Sequence, residues 1–171
     1  MKIQKTAFKG LKIIIGKIYY DSRGFFREIY KKKILKNHRP IFWCTSKSKK
    51  NVLRGLHLQT RNTQEKFVSV IKGKILDVVV DVRSKSKTFG KHFKIILSDK
   101  NSKSLLIPAG FAHGFLGLDK ENIILYSNSN YRSKKNEVGL KWNDKQLKIF
   151  WPKIKLKVSK KDKLNMSFVE Y

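Results

Sequence analysis

Two short segments concentrate the side chains able to do chemistry. Residues 53 to 59 read Leu-Arg-Gly-Leu-His-Leu-Gln, and residues 108 to 115 read Pro-Ala-Gly-Phe-Ala-His-Gly-Phe. Together they place two imidazoles, His57 and His113, and the guanidinium of Arg54 on chain that otherwise reads as β-strand. An imidazole titrates near neutral pH, so it can take up and return protons under ordinary conditions. Two histidines fall short of the three or four ligands that a mononuclear metal site wants. The combination points to metal-free acid–base chemistry on a small polar substrate.

The elements that must hold these residues are strands. From Lys66 to Val82 β-branched residues dominate, and Lys72-Gly73-Lys74 makes a turn between two strands. Asp77 to Asp81 reads as a strand flanked by charge. His92 to Leu97, Ser104 to Ile107 and Ile123 to Tyr126 are further short strands, separated by Asn, Asp, Ser and Lys clusters. Their spacing, roughly ten residues, is that of a sandwich or jelly roll. Gly10 to Ile29 reads as two strands broken by Asp21-Ser22-Arg23-Gly24. Helical periodicity is weak until the final third, where short helical turns are expected. We therefore expect an all-β chain, with residues 1–171 forming one domain.

Composition bounds the function. The chain has 171 residues, 40% of them hydrophobic and 12% aromatic, enough to fill one core. The one cysteine, Cys44, excludes an internal disulfide and a thiolate metal cluster. No apolar run approaches the ~20 residues of a membrane span, and Lys12 interrupts the short apolar stretch near the N-terminus. A cytoplasmic protein with no membrane association is expected. The net charge of +28 would suit nucleic acid. Yet only seven of the 40 basic residues are arginines (positions 23, 27, 39, 54, 61, 83 and 132), leaving 33 lysines. Specific nucleic-acid readers lean on arginine for bidentate contacts. Lysines spread along the whole chain read instead as a solvated surface that also attracts anionic ligands.

A jelly roll with such histidine segments resembles the cupin architecture, whose histidines usually hold a metal. A first cupin motif would offer a second histidine two positions on and then a glutamate. Here Gln59 follows His57, and the later acidic position falls near Lys66, whose charge, with that of Arg54, would repel a cation. For His113 alone the plainer alternative is a core histidine bonded to backbone.

The resemblance then becomes specific. In order along the chain stand Asp21-Ser-Arg-Gly-Phe-Phe-Arg-Glu28, Val52-Leu-Arg-Gly-Leu-His-Leu-Gln59, Gln64-Glu-Lys66, Asp77-Val-Val-Val-Asp-Val-Arg83, Ser86-Lys-Thr-Phe-Gly90, Leu97-Ser98, Ile107-Pro-Ala-Gly-Phe-Ala-His-Gly-Phe115, Tyr126, Tyr131, Trp142-Asn-Asp144 and Ser159-Lys-Lys-Asp162. This series is similar to the dTDP-4-dehydrorhamnose 3,5-epimerase family, metal-free sugar-nucleotide enzymes of cupin type. The resemblance runs from about Phe8 to Asp162 and implies a cupin-like jelly-roll β-barrel that inverts C3 or C5, or both, of a dTDP-linked 4-keto-6-deoxy hexose. It implies His57 as base with Asp162 as its partner, and Lys66, Arg54 and His113 facing the C4 oxygen. Tyr126 would be the proton donor, with Tyr131 packing on the sugar or base. Arg23, Glu28, Glu137 and Lys161 would make further substrate contacts. In this fold the early strand crosses to a partner subunit, so a homodimer with shared sites is implied. No cofactor is needed, since inversion involves no redox change, and no glycine-rich βαβ segment is present.

One departure stands out. The family commonly has a Gln-x-Asn pair where Phe42 and Cys44 stand here. Losing both amides removes hydrogen bonds to substrate and leaves open a different keto-sugar nucleotide, or inversion of one carbon only. A non-enzymatic, lysine-rich, anion-binding jelly roll is the rival outside enzymology.

Overall fold

The computed structural model describes all 171 residues, nearly all of the regular structure being strand. Two mixed-order sheets face each other. The first runs in the spatial order β1 (Lys2–Lys5), β2 (Lys12–Ile15), β10 (Lys103–Ile107), β7 (Lys66–Lys72), β12 (Glu121–Asn128), β5 (Phe42–Lys49). The second runs β13 (Glu137–Gly139), β6 (Val52–Gln59), β11 (Phe111–Gly117), β8 (Lys74–Asp81), β9 (His92–Ser98), and β14 (Lys157–Val158) pairs with β6 in parallel. All the other pairings between these strands are antiparallel. From β5 onward the chain changes sheet at almost every connection, which is the winding of a jelly roll. The expected turn at Lys72-Gly73-Lys74 is such a crossing. Gly73 has φ +85, and a Cβ there would lie 2.1 Å from the Glu121 carbonyl oxygen, so only glycine fits.

The main core fills the space between the sheets, with Val68, Val70 and Ile124 from the first packed against Ile75, Val79, Phe111 and Phe115 from the second. Each sheet is also covered on its outer face. Leu56, Leu58, Val78 and Val80 pack beneath Leu140, Leu147 and Ile149 of the C-terminal segment. Phe67, Ile14 and Leu106 pack beneath Leu35, which lies in the connection before β5. Burial on both faces explains why β7 and β8 read as nearly continuous apolar runs rather than clean alternations. It also corrects the reading of Asp77 and Asp81 as flanking charge, because both carboxylates are fully buried. Asp81 is held there by Arg83, Ser86 and Thr88.

The N-terminal region departs from the expected two strands. Gly16 breaks the first of them, leaving β2 in the sheet and sending β3 (Ile18–Asp21) into a separate hairpin with β4 (Gly24–Arg27). A side chain at Gly16 would meet Ser102 Oγ at 2.7 Å, where the chain passes close to the loop before β10. The hairpin pairs with no other strand, and Tyr19, Tyr20, Phe25 and Phe26 stand exposed on it. The expected helical turns are a 3-10 turn at Lys134–Asn136 and α1 (Lys160–Lys163).

Candidate active site

Between the sheets lies a cavity of about 540 Å³. One wall is built on β6 and β11, where His57 and His113 are direct cross-strand partners. Arg54 lies three residues before His57, a spacing that sends two side chains of a regular strand to opposite faces. Both nevertheless line the cavity, because the pairing slips between His113–His57 and Phe115–Arg54, leaving one extra residue on β6. Gly55 sits in that bulge at φ +105, and a Cβ there would lie 2.6 Å from the His113 carbonyl oxygen. Close approach of backbone to backbone thus requires the glycine of Leu-Arg-Gly-Leu-His. The opposite wall is built on β5, β12 and β7. Tyr126 pairs with Cys44 and Asn128 with both Phe42 and Lys66, so these five side chains share one face.

Hydrogen bonds set the chemical character of each group. His57 Nε2 is 2.6 Å from Asp162 Oδ1, which leaves Nδ1 free in the cavity wall. Asp162 is buried in the first turn of α1, which Ser159 caps by accepting from the Asp162 backbone N–H at 3.0 Å. Burial pushes the Asp162 carboxyl up, but the bond from His57, helped by Ser159 and the Gly55 N–H, holds it below the usual carboxylate range. His113 Nε2 is 2.8 Å from Asp77 Oδ2, while Asp77 Oδ1 is buried without a partner. The Tyr126 hydroxyl lies 3.2 Å from Ser46 Oγ, and burial drives its pKa well above that of a free phenol. Lys66 is pulled down by burial, which Glu137 opposes. Glu137 accepts from Arg132 at 2.8 Å and from Lys161. Burial raises its pKa, and those two cations together bring it to about 2.

The expected residues His57, Asp162, Tyr126, Lys66, Arg54, His113, Glu137 and Lys161 all meet in this cavity. Three do not. Arg23 stands at the exposed hairpin tip, bonded to Asp21. Glu28 lies just beyond β4, paired with Lys31. Tyr131 is an exposed side chain whose ring approaches Phe42, itself in the lining, at 6.2 Å. Asp77, Arg132 and Ser46 join the site without having been singled out for it. Asp77 was findable once β8 and β11 were paired. His113 pairs with Val79, so Asp77, two residues earlier, is its diagonal neighbour on the same face. No three His, Cys, Asp or Glu side chains gather as metal ligands would.

Fold and cavity define an acid–base enzyme on a cupin-like jelly roll, with a carboxylate-held imidazole on one wall and a half-buried phenol and ammonium on the other. A family model described as dTDP-4-dehydrorhamnose 3,5-epimerase matches residues 5–170, and the chain belongs to that family. The dTDP-4-dehydrorhamnose 3,5-epimerase of Shigella flexneri is 39% identical over 99% of this chain and 97% of its own length. The crystal structure of the Elizabethkingia anophelis enzyme of that name superposes with a TM-score of 0.92 at 36% identity, covering 99% of this chain and 97% of the other. That of the dTDP-6-deoxy-D-glucose-3,5-epimerase from Legionella pneumophila, in complex with dTDP-4-keto-L-rhamnose, matches with a TM-score of 0.92 at 40% identity, over 97% and 92% of the two chains.

Proposed function

We propose that this isomerase inverts C3 and C5 of dTDP-4-dehydro-6-deoxyglucose to give dTDP-4-dehydrorhamnose. The observation that carries the reading is the opposition of His57, with its free Nδ1, to Tyr126 across one cavity. Both hydrogens to be inverted are α to the C4 ketone, so each leaves as a proton and the electron pair moves onto the C4 oxygen. His57 Nδ1 takes the proton while Asp162 holds the ring tautomer and offsets the imidazolium charge. Lys66 and Arg54 supply the cationic donors for the developing enolate, with His113 beside them. Such donors act most strongly where water is scarce. Tyr126 returns a proton from the opposite wall, which is what converts exchange into inversion. No cofactor or metal enters this scheme. The two cavity imidazoles are each engaged by a carboxylate, and neither has the further ligands a metal would share.

Lys161, Arg132 and Glu137 at the rim suit the diphosphate end of the substrate, with Tyr131 beside it. Arg23 and Glu28 serve a homodimer, in which the β3–β4 hairpin of one protomer reaches the cavity of its partner. The exposed aromatic faces of that hairpin support this assembly. No helix is long and apolar enough to cross a membrane. The single, unpaired Cys44 suits the reducing cytoplasm, where we place the enzyme.

A second reading is favoured by Phe42 and Cys44, which make part of the cavity wall apolar. With fewer hydrogen-bonding groups there, the sugar is oriented for one carbon only, or a related nucleotide keto sugar is preferred. One experiment tests both readings. After incubation with dTDP-4-keto-6-deoxyglucose in deuterated water, solvent deuterium at C3 and C5 supports the first reading, and label at a single carbon supports the second. No exchange there or on related keto sugars defeats both.

A further inference from the structure

A polar network lies behind the wall that carries Lys66 and Tyr126 and takes no part in the chemistry above. His38, in the connection between β4 and β5, is 1% exposed. Its Nδ1 is 2.6 Å from Glu65 Oε1 and its Nε2 is 2.8 Å from Ser127 Oγ. The rings of Tyr30 and Phe67 stand against it, with centroids 5.9 and 6.3 Å away. An imidazole in such an apolar setting costs desolvation and is tolerated only with its nitrogens bonded. An aliphatic side chain would fill the same space without that cost.

The partners of His38 suggest what the cost supports. Glu65 immediately precedes Lys66, and Ser127 immediately follows Tyr126. Neighbouring side chains on a strand point to opposite faces, so Glu65 and Ser127 lie behind the wall while Lys66 and Tyr126 face the cavity. The strands β7 and β12 are paired there, Asn128 against Lys66 and Tyr126 against Val68. His38 therefore joins, from behind, the backbone positions next to the ammonium and the phenol. The Glu65 N–H also donates to Ser129 Oγ at 2.9 Å, and the Ser129 N–H to the Glu65 carbonyl at 3.0 Å. Inside the cavity Lys66 has no carboxylate clamp of the kind that Glu137 provides for Arg132 and Lys161. Its placement depends on the backbone that carries it.

We propose that His38 is a positioning residue for proton transfer, holding Lys66 and Tyr126 at working depth through Glu65 and Ser127. This rests on the roles given to Lys66 and Tyr126 above. Buried networks with every member satisfied are suited to fixing one geometry.

The test compares His38→Leu, which removes both bonds, with His38→Gln, which can keep one or both. Leu35→Ala is the control, since it thins the same apolar cluster without touching the network. The readouts are kcat, KM and the thermal midpoint of each purified enzyme. In His38→Leu, kcat falls roughly ten- to hundred-fold while KM stays within about two-fold, as a small misplacement of reacting groups would cause. His38→Gln recovers most of the loss, and Leu35→Ala lowers the midpoint while keeping kcat. Should His38→Leu not fold, Glu65→Ala and Ser127→Ala cut the two bonds singly and are read by the same criterion. Parental kcat in the folded variants overturns the inference, as does an equal loss of kcat in Leu35→Ala. A parental enzyme that inverts no keto sugar overturns the functional reading itself. Parental inversion that survives in His38→Leu overturns only the role of His38.

Discussion

His57 and His113 stand directly opposite one another on β6 and β11, yet each gives its Nε2 to a different buried carboxylate. They are not equivalent. The His57 side chain is 29% exposed, whereas that of His113 is 6% exposed. Asp162 has both oxygens engaged, by His57 and the Gly55 N–H, while one oxygen of Asp77 has no partner. Proton abstraction requires contact with the sugar carbon, and the more accessible ring with the fully engaged carboxylate suits it better. Because both imidazoles belong to one wall, a proton delivered to the opposite face of the sugar must come from the other sheet.

Asp162→Asn therefore damages the base without altering the shape of the site. With the amide oxygen taken by the Gly55 N–H, the amide NH2 faces His57 Nε2 and donates where the carboxylate accepted, so the wrong tautomer is favoured. We expect kcat to fall on the order of 10³- to 10⁴-fold, the scale seen when a histidine base loses its carboxylate, with KM little changed. Asp77→Asn gives the smaller loss. Steady-state kinetics of both variants check this, and a larger loss for Asp77→Asn would make His113 the base.

The strands were legible because β-branched runs and polar turns have a local signature, and the segments around His57, Lys66 and His113 all lie on strands. The pairing of His57 with Asp162 was not legible from local pattern, since 105 residues separate them; only the family resemblance joined them. The Arg54–His57 geometry was hidden for another reason. Their spacing implies opposite faces, and the bulge at Gly55 reverses that implication. Arg23 and Glu28 show the reverse limit. Their motif is intact, yet within this chain they lie outside the cavity.

The alkaline limit of activity should belong to Lys66. Burial pulls its pKa down, so it loses its charge below the ~10.4 of a free lysine. Tyr126 is shifted the other way and stays protonated throughout. Enolate stabilisation needs the ammonium, so kcat declines as pH rises through the lowered Lys66 value. In Lys66→Arg the guanidinium stays charged to pH values above about 12. That variant is slower but lacks the alkaline limb. A limb that persists unchanged in a pH–rate profile of Lys66→Arg would assign it to another group.

Stability should fail from the acid side. Burial raises the carboxyls of Asp81, Glu137, Asp144 and Asp162, but their hydrogen bonds and cations outweigh it and hold all four below their free values, Glu137 at about 2. A carboxylate whose pKa is depressed on folding stabilises above its unfolded value and loses that contribution as pH falls through the folded one. The thermal midpoint should hold above about pH 5 and drop steeply between roughly pH 4 and pH 2. Glu137→Gln should make that drop shallower. A midpoint that falls equally steeply in Glu137→Gln would show that its cations contribute nothing in the folded state.

Tyr126→Phe separates the two halves of the reaction. The substitution keeps the ring against the core between the sheets and removes only the hydroxyl that meets Ser46. His57 and Asp162, on the other sheet, are untouched, so proton removal persists and substrate hydrogens still exchange with deuterated water. Delivery from the far wall fails, and inversion drops by roughly 10²- to 10⁴-fold, the usual contribution of a positioned general acid. His57→Ala loses exchange and inversion together, because the other imidazole of the wall, His113, is the less exposed ring and is held by Asp77. Measuring label incorporation and product configuration in the same sample distinguishes these outcomes. If Tyr126→Phe inverts both carbons at the parental rate, Tyr126 is a packing residue, and the donor is Tyr131 or water.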